Sequence, residues 1–161
     1  MALIRVAVVT VSDTRSQHDD RSGDRLADLL RSENIEVAER LIVSDDLEPL
    51  RQTLLSLAER GDIDLILTTG GTGFAPRDNT PEATRAVIER EAPGIAEAMR
   101  RETSSKTPMS MLSRGIAGIR GCTLIINLPG SPRAVEECFN ILRPTLSHAI
   151  QLIHGDTKHD N

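Results

Sequence analysis

A glycine-rich segment at residues 68–84 holds the residue types best suited to chemistry. It reads Thr-Thr-Gly-Gly-Thr-Gly-Phe-Ala-Pro-Arg-Asp-Asn-Thr-Pro-Glu-Ala-Thr and follows an apolar run at 63–67. Glycine permits positive φ and lets backbone N–H groups approach an anion closely. The Thr-Pro pair at 80–81 is typical of a helix start, so the loop is predicted to face the positive end of a helix dipole. The segment therefore predicts a binding site for a phosphorylated ligand.

Arg77 and Asp78 distinguish this loop from a turn that uses glycine for geometry alone. That alternative explains a lone Gly-Gly-x-Gly equally well, and the adjoining charged pair favours a ligand site. The segment lacks the Lys-Ser or Lys-Thr of a P-loop, and the chain has no G-x-G-x-x-G pattern. The sequence therefore supports neither a P-loop NTPase nor a dinucleotide-binding Rossmann domain.

A second loop, Pro-Gly-Ser-Pro at 129–132, shares this design because an apolar run precedes it and a helical pattern follows it. Ligands of open α/β sheets bind outside the carboxyl ends of the strands. Residues 70–78 and 130–131 are therefore predicted to line one pocket if their strands are neighbours. Ser12 and Asp13, at the end of the first strand, can join them. Taken alone, the Pro-Gly-Ser-Pro run is better explained as a helix cap.

Apolar runs rich in β-branched residues alternate with amphipathic stretches along the chain. This alternation predicts the α/β class, with a parallel sheet covered by helices. Strands are predicted at 4–11, 36–43, 64–68 and 122–128. Helices are predicted from about Ser22, from Asp45 or Asp46 up to Gly61, over 81–91, over 94–102 and from 133 to about 153.

Two prolines and one mixed segment set the remaining expectations. Pro93 is predicted to separate two helices, and Pro144 to kink or divide the last helix. Residues 103–121 are predicted to form a loop with one short helix at about 109–114. Residues 1–154 are predicted to form one domain, followed by a polar, frayed tail at 155–161.

Composition argues against several classes of protein. A net charge of -5 and only two aromatic residues, Phe74 and Phe139, argue against a nucleic-acid partner, which needs positive charge and stacking platforms. There is no basic-then-apolar leader and no apolar run near the length of a membrane span, so a soluble cytoplasmic protein is predicted.

Cysteine and histidine usage argues against a disulfide and against a zinc site. Cys122 and Cys138 are predicted to be buried thiols, since one opens an apolar run and the other lies in a helical pattern. The histidines form no His-x-x-x-His pair and have no Cys-x-x-Cys companion, so they are predicted to be surface residues. They are His18, His148, His154 and His159.

Six short motifs follow one another along the chain. They are Thr-Val-Ser-Asp at 10–13, Asp-Asp-x-Ser-Gly at 19–23, Thr-Gly-Gly-Thr-Gly at 69–73, Arg-Asp-x-Thr-Pro-Glu-Ala at 77–83, Leu-Ser-Arg at 112–114 and Leu-Pro-Gly-Ser-Pro at 128–132. In order and spacing they resemble the MoaB/MogA family of molybdenum-cofactor biosynthesis proteins. The resemblance covers roughly residues 4–153. The Asp-Asp-x-Ser-Gly segment and the short C-terminus look more like the MoaB branch.

This resemblance implies a single α/β/α domain with a mostly parallel sheet that assembles as a homotrimer or homohexamer. It also implies binding of molybdopterin, a pterin with a dithiolene and a terminal phosphate, and its adenylylation. In that reaction the molybdopterin phosphate attacks the α-phosphate of Mg-ATP, giving adenylyl-molybdopterin and pyrophosphate. Because a phosphate dianion is already deprotonated near neutral pH, positioning and charge neutralisation can suffice.

The resemblance also assigns site residues. Asp45 and Asp78 are the expected catalytic carboxylates and the expected ligands of Mg²⁺. Ser44-Asp45-Asp46 stands where the family usually has Pro-Asp-Asp or Pro-Asp-Glu, so the register selects Asp45, although Asp45 or Asp46 can also be a plain helix cap. Ser113 matches a position associated with molybdopterin, with a solvated loop serine as the alternative. The expected substrate-binding residues are Ser12, Asp13, Gly70, Gly71, Thr72, Gly73, Ser113, Gly130 and Ser131.

Three functions of different classes follow from these residues. The first is the adenylyltransferase, with ATP and molybdopterin as substrates and Mg²⁺ as cofactor. The second is a non-catalytic scaffold that holds molybdopterin in the same pocket while another protein performs the transfer. The third, a purely structural oligomer, leaves the glycine loop and its carboxylates unexplained.

Overall fold

Six strands and five α-helices alternate along residues 3–156, the part of the chain that the computed structural model describes. The strands are β1 (Arg5–Val11), β2 (Glu36–Val43), β3 (Leu65–Thr69), β4 (Arg90–Glu91), β5 (Ala117–Arg120) and β6 (Thr123–Leu128). The helices are α1 (Arg21–Ser32), α2 (Leu47–Glu59), α3 (Thr80–Arg85), α4 (Pro93–Ser104) and α5 (Pro132–Ile153), with a short 3-10 helix at Pro108–Leu112.

The strands form one mostly parallel sheet in the order β2-β1-β3-β6-β5-β4. β2, β1, β3 and β6 are parallel, whereas β5 and β4 add an antiparallel edge. The chain moves from β1 outward to β2 and then returns past β1 to β3, so the switch point of the topology lies between β1 and β3. The predicted α/β class with a mostly parallel sheet is confirmed.

Helices cover both faces of the sheet, which gives three layers. Alternate residues of the strands point to opposite faces. Val6 and Val8 of β1 belong to a buried cluster with α1, α4 and α5, whereas Ala7, Val9 and Val11 belong to a second buried cluster with α2 and α3. Among the helices of residues 3–156, none is both long enough and apolar enough to cross a bilayer.

The antiparallel edge corrects two predictions. The helix expected over 81–91 ends at Arg85, and Arg90–Glu91 instead pairs with β5. The loop expected over 103–121 contains β5, which pairs with β6. Both short strands are stabilised by contacts with residues distant along the chain, and two to four residues carry too little periodicity to show this in the sequence.

Proline positions correct two more details. Pro93 does not lie between two adjoining helices but occupies the first position of α4, where its missing N–H costs no intrahelical bond. Pro144 does not divide α5, which continues from Pro132 to Ile153. The buried side chains of Leu142 and Leu146 pack on the same core on either side of this proline, which explains why the helix continues. The short helix expected at 109–114 is the 3-10 helix Pro108–Leu112.

Exposure of the polar and sulfur side chains fits the sequence predictions with one exception. Cys138 is buried as predicted, whereas Cys122 is exposed because it lies in the turn between β5 and β6 rather than within β6. His18, His148 and His154 are exposed, as predicted. His159 and most of the predicted tail at 155–161 lie outside the described residues.

A buried carboxylate organises the start of α1 beneath the loop that follows β1. Asp20 is only 2% exposed, and its Oδ1 accepts the Gly23 N–H as a helix N-cap. Its Oδ2 accepts hydrogen bonds from the Thr10 hydroxyl at 2.7 Å and from Arg40 Nη2 at 3.2 Å. The Asp-Asp-x-Ser-Gly motif therefore has a structural role, since it supplies the cap and the small residue beside it.

Gly23→Ala is expected to destabilise the protein although alanine favours helices. A β-carbon at this position would overlap Asp20 Oδ2 and lie 2.7 Å from Thr10 Oγ1. Overpacking of this kind costs about 1–3 kcal/mol. Urea unfolding measures the loss of free energy.

The matched control is Gly94→Ala in α4, where a β-carbon has no atom within 4 Å. That variant is expected to gain up to about 1 kcal/mol from helix propensity. Equal effects of the two substitutions would show that Asp20 does not require a glycine at position 23.

Candidate functional site

Four loops meet at the carboxyl ends of the parallel strands. The register pairs Val11 of β1 with Val43 of β2, and Thr69 of β3 with Leu128 of β6. The loops at 12–19, 44–46, 70–79 and 129–131 therefore begin side by side at one edge of the sheet. We call this group of loops the carboxyl-end site.

Asp13 and Asp45 lock the loops after β1 and β2 together. Asp45 Oδ2 accepts the Asp13 N–H at 2.9 Å, and Asp13 Oδ1 accepts the Asp45 N–H at 3.0 Å. Asn79 Nδ2 also donates to the Asp45 carbonyl oxygen at 3.0 Å, which attaches the end of the glycine loop to the same point. Side chains from three loops thus share one short stretch of the sheet edge.

Arg77 spans the acidic side of the carboxyl-end site. Its Nε donates to Asp13 Oδ2 at 2.6 Å, and its Nη2 donates to Asp46 Oδ1 at 3.0 Å. The hydrogen bond from Arg77 lowers the pKa of the Asp13 carboxyl, and the Asp45 N–H lowers it further. Arg77 therefore pairs directly with Asp13 and Asp46, and it acts on Asp45 through its charge.

Asp45 is half-buried among other carboxylates. Burial raises the pKa of the Asp45 carboxyl, and the charges of Asp13 and Asp78 raise it further, against the lowering effects of the Asp13 N–H and of the Arg77 charge. The charge of Asp78, in the neighbouring glycine loop, thus acts on the Asp45 carboxyl. Asp46 instead has a side chain that is 60% exposed and begins α2 without capping it through a hydrogen bond.

Asp78 has a fixed orientation within the glycine loop. Its Oδ2 accepts the Ala75 N–H at 3.0 Å, and a β-carbon on Gly73 would lie 2.9 Å from the same oxygen. Glycine at position 73 therefore makes room for the carboxylate. Among residues 3–156 no cluster of three His, Cys, Asp or Glu side chains could enclose a metal ion. A cation between Asp45 and Asp78 would thus take its other oxygen ligands from water or from a ligand's phosphates.

The first two glycines of the loop permit a tight turn. Gly70 and Gly71 have φ angles of 98° and 66°, and a β-carbon on Gly70 would lie 2.6 Å from the Val11 carbonyl oxygen. Thr80 is buried and donates its hydroxyl to the Gly70 carbonyl oxygen at 2.9 Å, so it is not the N-cap, which is Asn79. Because α3 has only six residues, its dipole is weaker than the dipole of the longer helix predicted over 81–91.

The loop after β6 lies against the glycine loop. A β-carbon on Gly130 would lie 3.3 Å from Gly70 Cα, and the Thr69 hydroxyl donates to the Pro129 carbonyl oxygen at 2.7 Å. Ser131 is the N-cap of α5 and accepts the Ala134 N–H at 3.2 Å. The helix-cap interpretation of this motif is confirmed, and its predicted adjacency to the glycine loop is confirmed as well.

Two predicted ligand residues are engaged in supporting the loops. Ser12 Oγ accepts the N–H groups of Thr14 and Arg15 at 3.2 and 3.1 Å, which shapes the turn after β1. Thr72 is only 6% exposed, and its carbonyl oxygen accepts the Arg114 N–H at 2.8 Å. Of the two, Ser12 is therefore the one more accessible to a ligand.

A cavity of about 330 Å³ borders the carboxyl-end site on the side of β6. We call it the α4–α5 pocket, because α4, α5 and the 3-10 helix enclose it. Ser113 and Ser131 line it, whereas the two functional carboxylate candidates do not. Its other lining residues are Ala96, Met99, Arg100, Thr103, Thr107, Met109, Ser110, Gly115, Asn127, Pro129, Ala134, Glu137 and Cys138.

Sequence reasoning missed two polar residues that shape this region. Asn127 lies inside the apolar strand β6, and its amide donates to Thr68 at 3.1 Å and to Thr84 at 2.8 Å. Arg114 holds the glycine loop through its side chain. An asparagine within an apolar strand can be noticed in the sequence as a candidate for a buried hydrogen-bonding role. The contacts of Arg114 cannot be predicted in this way, because they depend on the fold.

Comparisons with known proteins agree on one family. The family described as a probable molybdopterin binding domain matches residues 7–148. The molybdenum cofactor synthesis protein cinnamon of Drosophila melanogaster is 44% identical over 160 residues, covering 97% of this chain and 26% of cinnamon. This chain thus spans about a quarter of the length of that relative.

Two further proteins match over most of both chains. The molybdopterin adenylyltransferase of Helicobacter pylori strain J99 is 37% identical over 160 residues, covering 97% of this chain and 91% of the enzyme. The crystal structure of the molybdopterin biosynthesis enzyme MoaB of Thermus thermophilus has 46% identity and a TM-score of 0.88, covering 95% of this chain and 98% of that chain.

Asp45→Asn is expected to stabilise the protein at pH 7, by less than about 1 kcal/mol. The folded-state pKa of Asp45 is raised from its ordinary value of 3.8, so its ionisation costs stability as pH rises through that raised pKa. Asparagine removes the charge and can still accept the Asp13 N–H. The gain should vanish below the ordinary pKa, as measured by thermal unfolding against pH.

Asp13→Asn is the control, and its expected effect on stability at pH 7 is the opposite one. The pKa of Asp13 is lowered, so its stabilising contribution is present above the ordinary pKa and lost as pH falls through the folded-state pKa. This variant should therefore be less stable at pH 7 and equal to the parent in acid. A loss of stability at pH 7 in Asp45→Asn would contradict the inferred repulsion.

Proposed function

Since the chain belongs to the molybdenum-cofactor biosynthesis family of probable molybdopterin binding domains, we propose that it is a molybdopterin adenylyltransferase. The observation that carries this proposal is the pairing of two features at one edge of the sheet. Asp45 and Asp78 lie there in two loops that the hydrogen bond from Asn79 to the Asp45 carbonyl oxygen joins, and Pro129 and Ser131 of the adjoining loop line the α4–α5 pocket. The two carboxylates suit a metal-bound phosphate, and the α4–α5 pocket suits a pterin.

The carboxylate pair fits Mg²⁺. This ion binds oxygen ligands, keeps several waters and usually takes one or two carboxylates together with substrate phosphates. Asp45 and Asp78 provide two carboxylates, whereas the hydrogen bonds of Arg77 go to Asp13 and Asp46. When bound, Mg²⁺ would offset the charge that develops on the phosphates during transfer.

The transfer needs no side-chain base. A phosphate oxygen of molybdopterin forms a bond to the α-phosphorus of ATP, and the bond from that phosphorus to the β-phosphate oxygen breaks, releasing pyrophosphate. The chain's contribution is to hold the two phosphates in line and to exclude water. The four adjoining loops, with backbone N–H groups near Gly71 and Gly130, form the holding surface.

The α4–α5 pocket fits a pterin ring in size and chemistry. Its volume of about 330 Å³ falls within the range of small-molecule sites. Met99, Met109 and Pro129 supply apolar surface, whereas Ser113 and Glu137 supply hydrogen-bonding groups. Glu137 is 14% exposed and is paired with Arg133 at 3.0 Å, so its carboxylate is held in place. A carboxylate can accept the N–H groups along the edge of a 2-aminopyrimidinone ring.

The remaining features of the proposal rest on the resemblance to the family. We propose a cytoplasmic homotrimer or homohexamer that acts with other enzymes of molybdenum-cofactor synthesis and has no nucleic-acid partner. Light scattering at micromolar concentration tests the assembly, and a monomer mass would contradict it. Cinnamon carries further chain beyond the matching part, so in that relative the domain occurs beside other segments.

A molybdopterin-binding scaffold without catalysis is the second candidate function. The α4–α5 pocket alone would satisfy a scaffold, whereas two carboxylates in the adjoining loops favour the enzyme. Incubation of the protein with molybdopterin, ATP and Mg²⁺ distinguishes the two. Release of pyrophosphate supports the transferase, and tight pterin binding without nucleotide turnover supports the scaffold.

Asp45→Asn and Asp78→Asn are each expected to lower AMP transfer about 100-fold or more, because each removes a charge that faces the divalent ion. Asp46→Asn should stay within about threefold, since its exposed pair with Arg77 contributes little. Pyrophosphate release at saturating substrates measures all three variants.

Two results would contradict these assignments. Wild-type turnover with intact Mg²⁺ dependence in Asp78→Asn removes that residue from the proposed role. Loss of activity in Asp46→Asn but not in Asp45→Asn would shift the catalytic carboxylate by one position.

Ala134→Trp is expected to raise the KM for molybdopterin at least about tenfold while leaving the KM for ATP unchanged. Ala134 lines the α4–α5 pocket, so a tryptophan there occupies much of the cavity. Asn140→Trp on an exposed position of the same helix is the control and should leave both constants unchanged. An equal rise in both KM values for Ala134→Trp would contradict a separate pterin pocket.

A further inference from the structure

Arg114 makes an unusual set of contacts behind the glycine loop. Its backbone N–H donates to the Thr72 carbonyl oxygen at 2.8 Å. Its Nε donates to the Gly73 carbonyl oxygen at 2.8 Å, and its Nη2 donates to the Asp78 carbonyl oxygen at 2.7 Å. The guanidinium also pairs with Glu82 of α3. One half-buried side chain thus binds both ends of the segment 73–78.

These contacts limit the freedom of the segment that carries Asp78. Residues 74–77 are exposed and lie outside regular secondary structure. Inside the segment, Asp78 N–H donates to the Ala75 carbonyl oxygen at 2.9 Å, which closes a turn. Arg114 fixes the two ends of that turn relative to β3 and α3. The position of the Asp78 carboxylate therefore depends on the guanidinium of Arg114.

The neighbours of Arg114 belong to the α4–α5 pocket. Ser113 and Gly115 line the pocket, whereas the side chain between them points to the glycine loop. Arg100 Nη1 holds this short segment by donating to the Ser113 and Gly115 carbonyl oxygens at 3.2 and 2.8 Å. Residues 113–115 are thus a wall shared by the pocket and by the loop of Asp78.

We propose that Arg114 is a positioning residue that fixes the Asp78 carboxylate in the glycine loop and joins it mechanically to the α4–α5 pocket. The inference rests on the proposed function and deepens it. Arg114 itself does not touch the substrates, because the hydrogen-bonding groups of its side chain are directed at two carbonyl oxygens and at Glu82. Its effect on the reaction passes through Asp78.

Lysine cannot take over the positioning role of Arg114. The guanidinium is a planar fork that donates in several fixed directions, whereas an ammonium is a single charge on a flexible stem. Lysine at position 114 can keep the ion pair with Glu82 but cannot also reach the carbonyl oxygens of Gly73 and Asp78. Arg114→Lys therefore separates the positioning effect from the charge.

Arg114→Lys is expected to raise the Mg²⁺ concentration for half-maximal AMP transfer about tenfold or more, as loss of an orienting neighbour does in metal sites. Amide hydrogen exchange of residues 74–78 in the protein without substrates should accelerate by a similar factor. Glu82→Gln, which removes only the charge that holds the guanidinium, should give a smaller change in the same direction. The unfolding midpoint of each variant is measured alongside.

Arg120→Lys is the matched control. Arg120 also donates to a carbonyl oxygen, that of Val87 at 3.0 Å, and pairs with a glutamate, Glu59, at 2.7 Å. It lies at the opposite end of the sheet, where β5 turns into β6. Its substitution should leave the Mg²⁺ dependence and the exchange of residues 74–78 unchanged, even if stability falls.

The outcomes separate this inference from the proposed function. Parental Mg²⁺ dependence and parental exchange of residues 74–78 in Arg114→Lys would overturn the positioning role. If the parent protein transfers no AMP, the proposed function fails, while the exchange measurement still decides whether Arg114 fixes the loop. If Arg114→Lys does not fold, Glu82→Gln supplies the same two readouts, and a lack of change there overturns the inference.

Discussion

Parallel pairing of four neighbouring strands is the constraint on which the site depends. Because β2, β1, β3 and β6 run in one direction, their carboxyl ends meet at one edge, and the order of the strands reverses between β1 and β3. Val11 pairs with Val43, and two residues beyond that pair the chain reaches Asp13 and Asp45. Their reciprocal hydrogen bonds form only in this register. A shift by one residue would separate the carboxylates and move the side chains of β1 into the opposite layers of the core.

The parallel pairing of the strands also concentrates negative charge at the carboxyl-end site. Asp13, Asp45, Asp46 and Asp78 come from three loops, and Arg77 pairs with Asp13 and Asp46. Burial and the charges of Asp13 and Asp78 raise the pKa of the Asp45 carboxyl, against the lowering effects of the Asp13 N–H and of the Arg77 charge. Proteins commonly retain destabilising arrangements where function requires them. Under the proposed function, Asp45 and Asp78 would be such an arrangement, because a divalent cation between them would relieve the repulsion.

Local features of the sequence predicted where the candidate loops lie, whereas contacts between distant parts of the chain could not be predicted. The glycines before Asp78 and the Pro-Gly-Ser-Pro loop are local signals, so their position after strands could be predicted. The ordered motifs indicated the family. The hydrogen bonds of Arg114 depend on residues up to 41 positions away, and β5 has only four residues, so periodicity does not reveal either of them. The predicted length of α3 was wrong because Arg90–Glu91 pairs with β5, and this antiparallel pairing outweighs helix propensity there.

The use of arginine in the site determines how anionic substrates can be held. The chain has a net charge of -5, and three arginines that contact the loops, Arg15, Arg77 and Arg114, are already engaged. Arg15 donates to the Gly130 carbonyl oxygen, Arg77 pairs with aspartates, and Arg114 binds carbonyl oxygens and Glu82. They shape the loops rather than offer free positive charge. Under the proposed function, neutralisation of ATP and of the molybdopterin phosphate therefore falls to backbone N–H groups and to a divalent ion between Asp45 and Asp78.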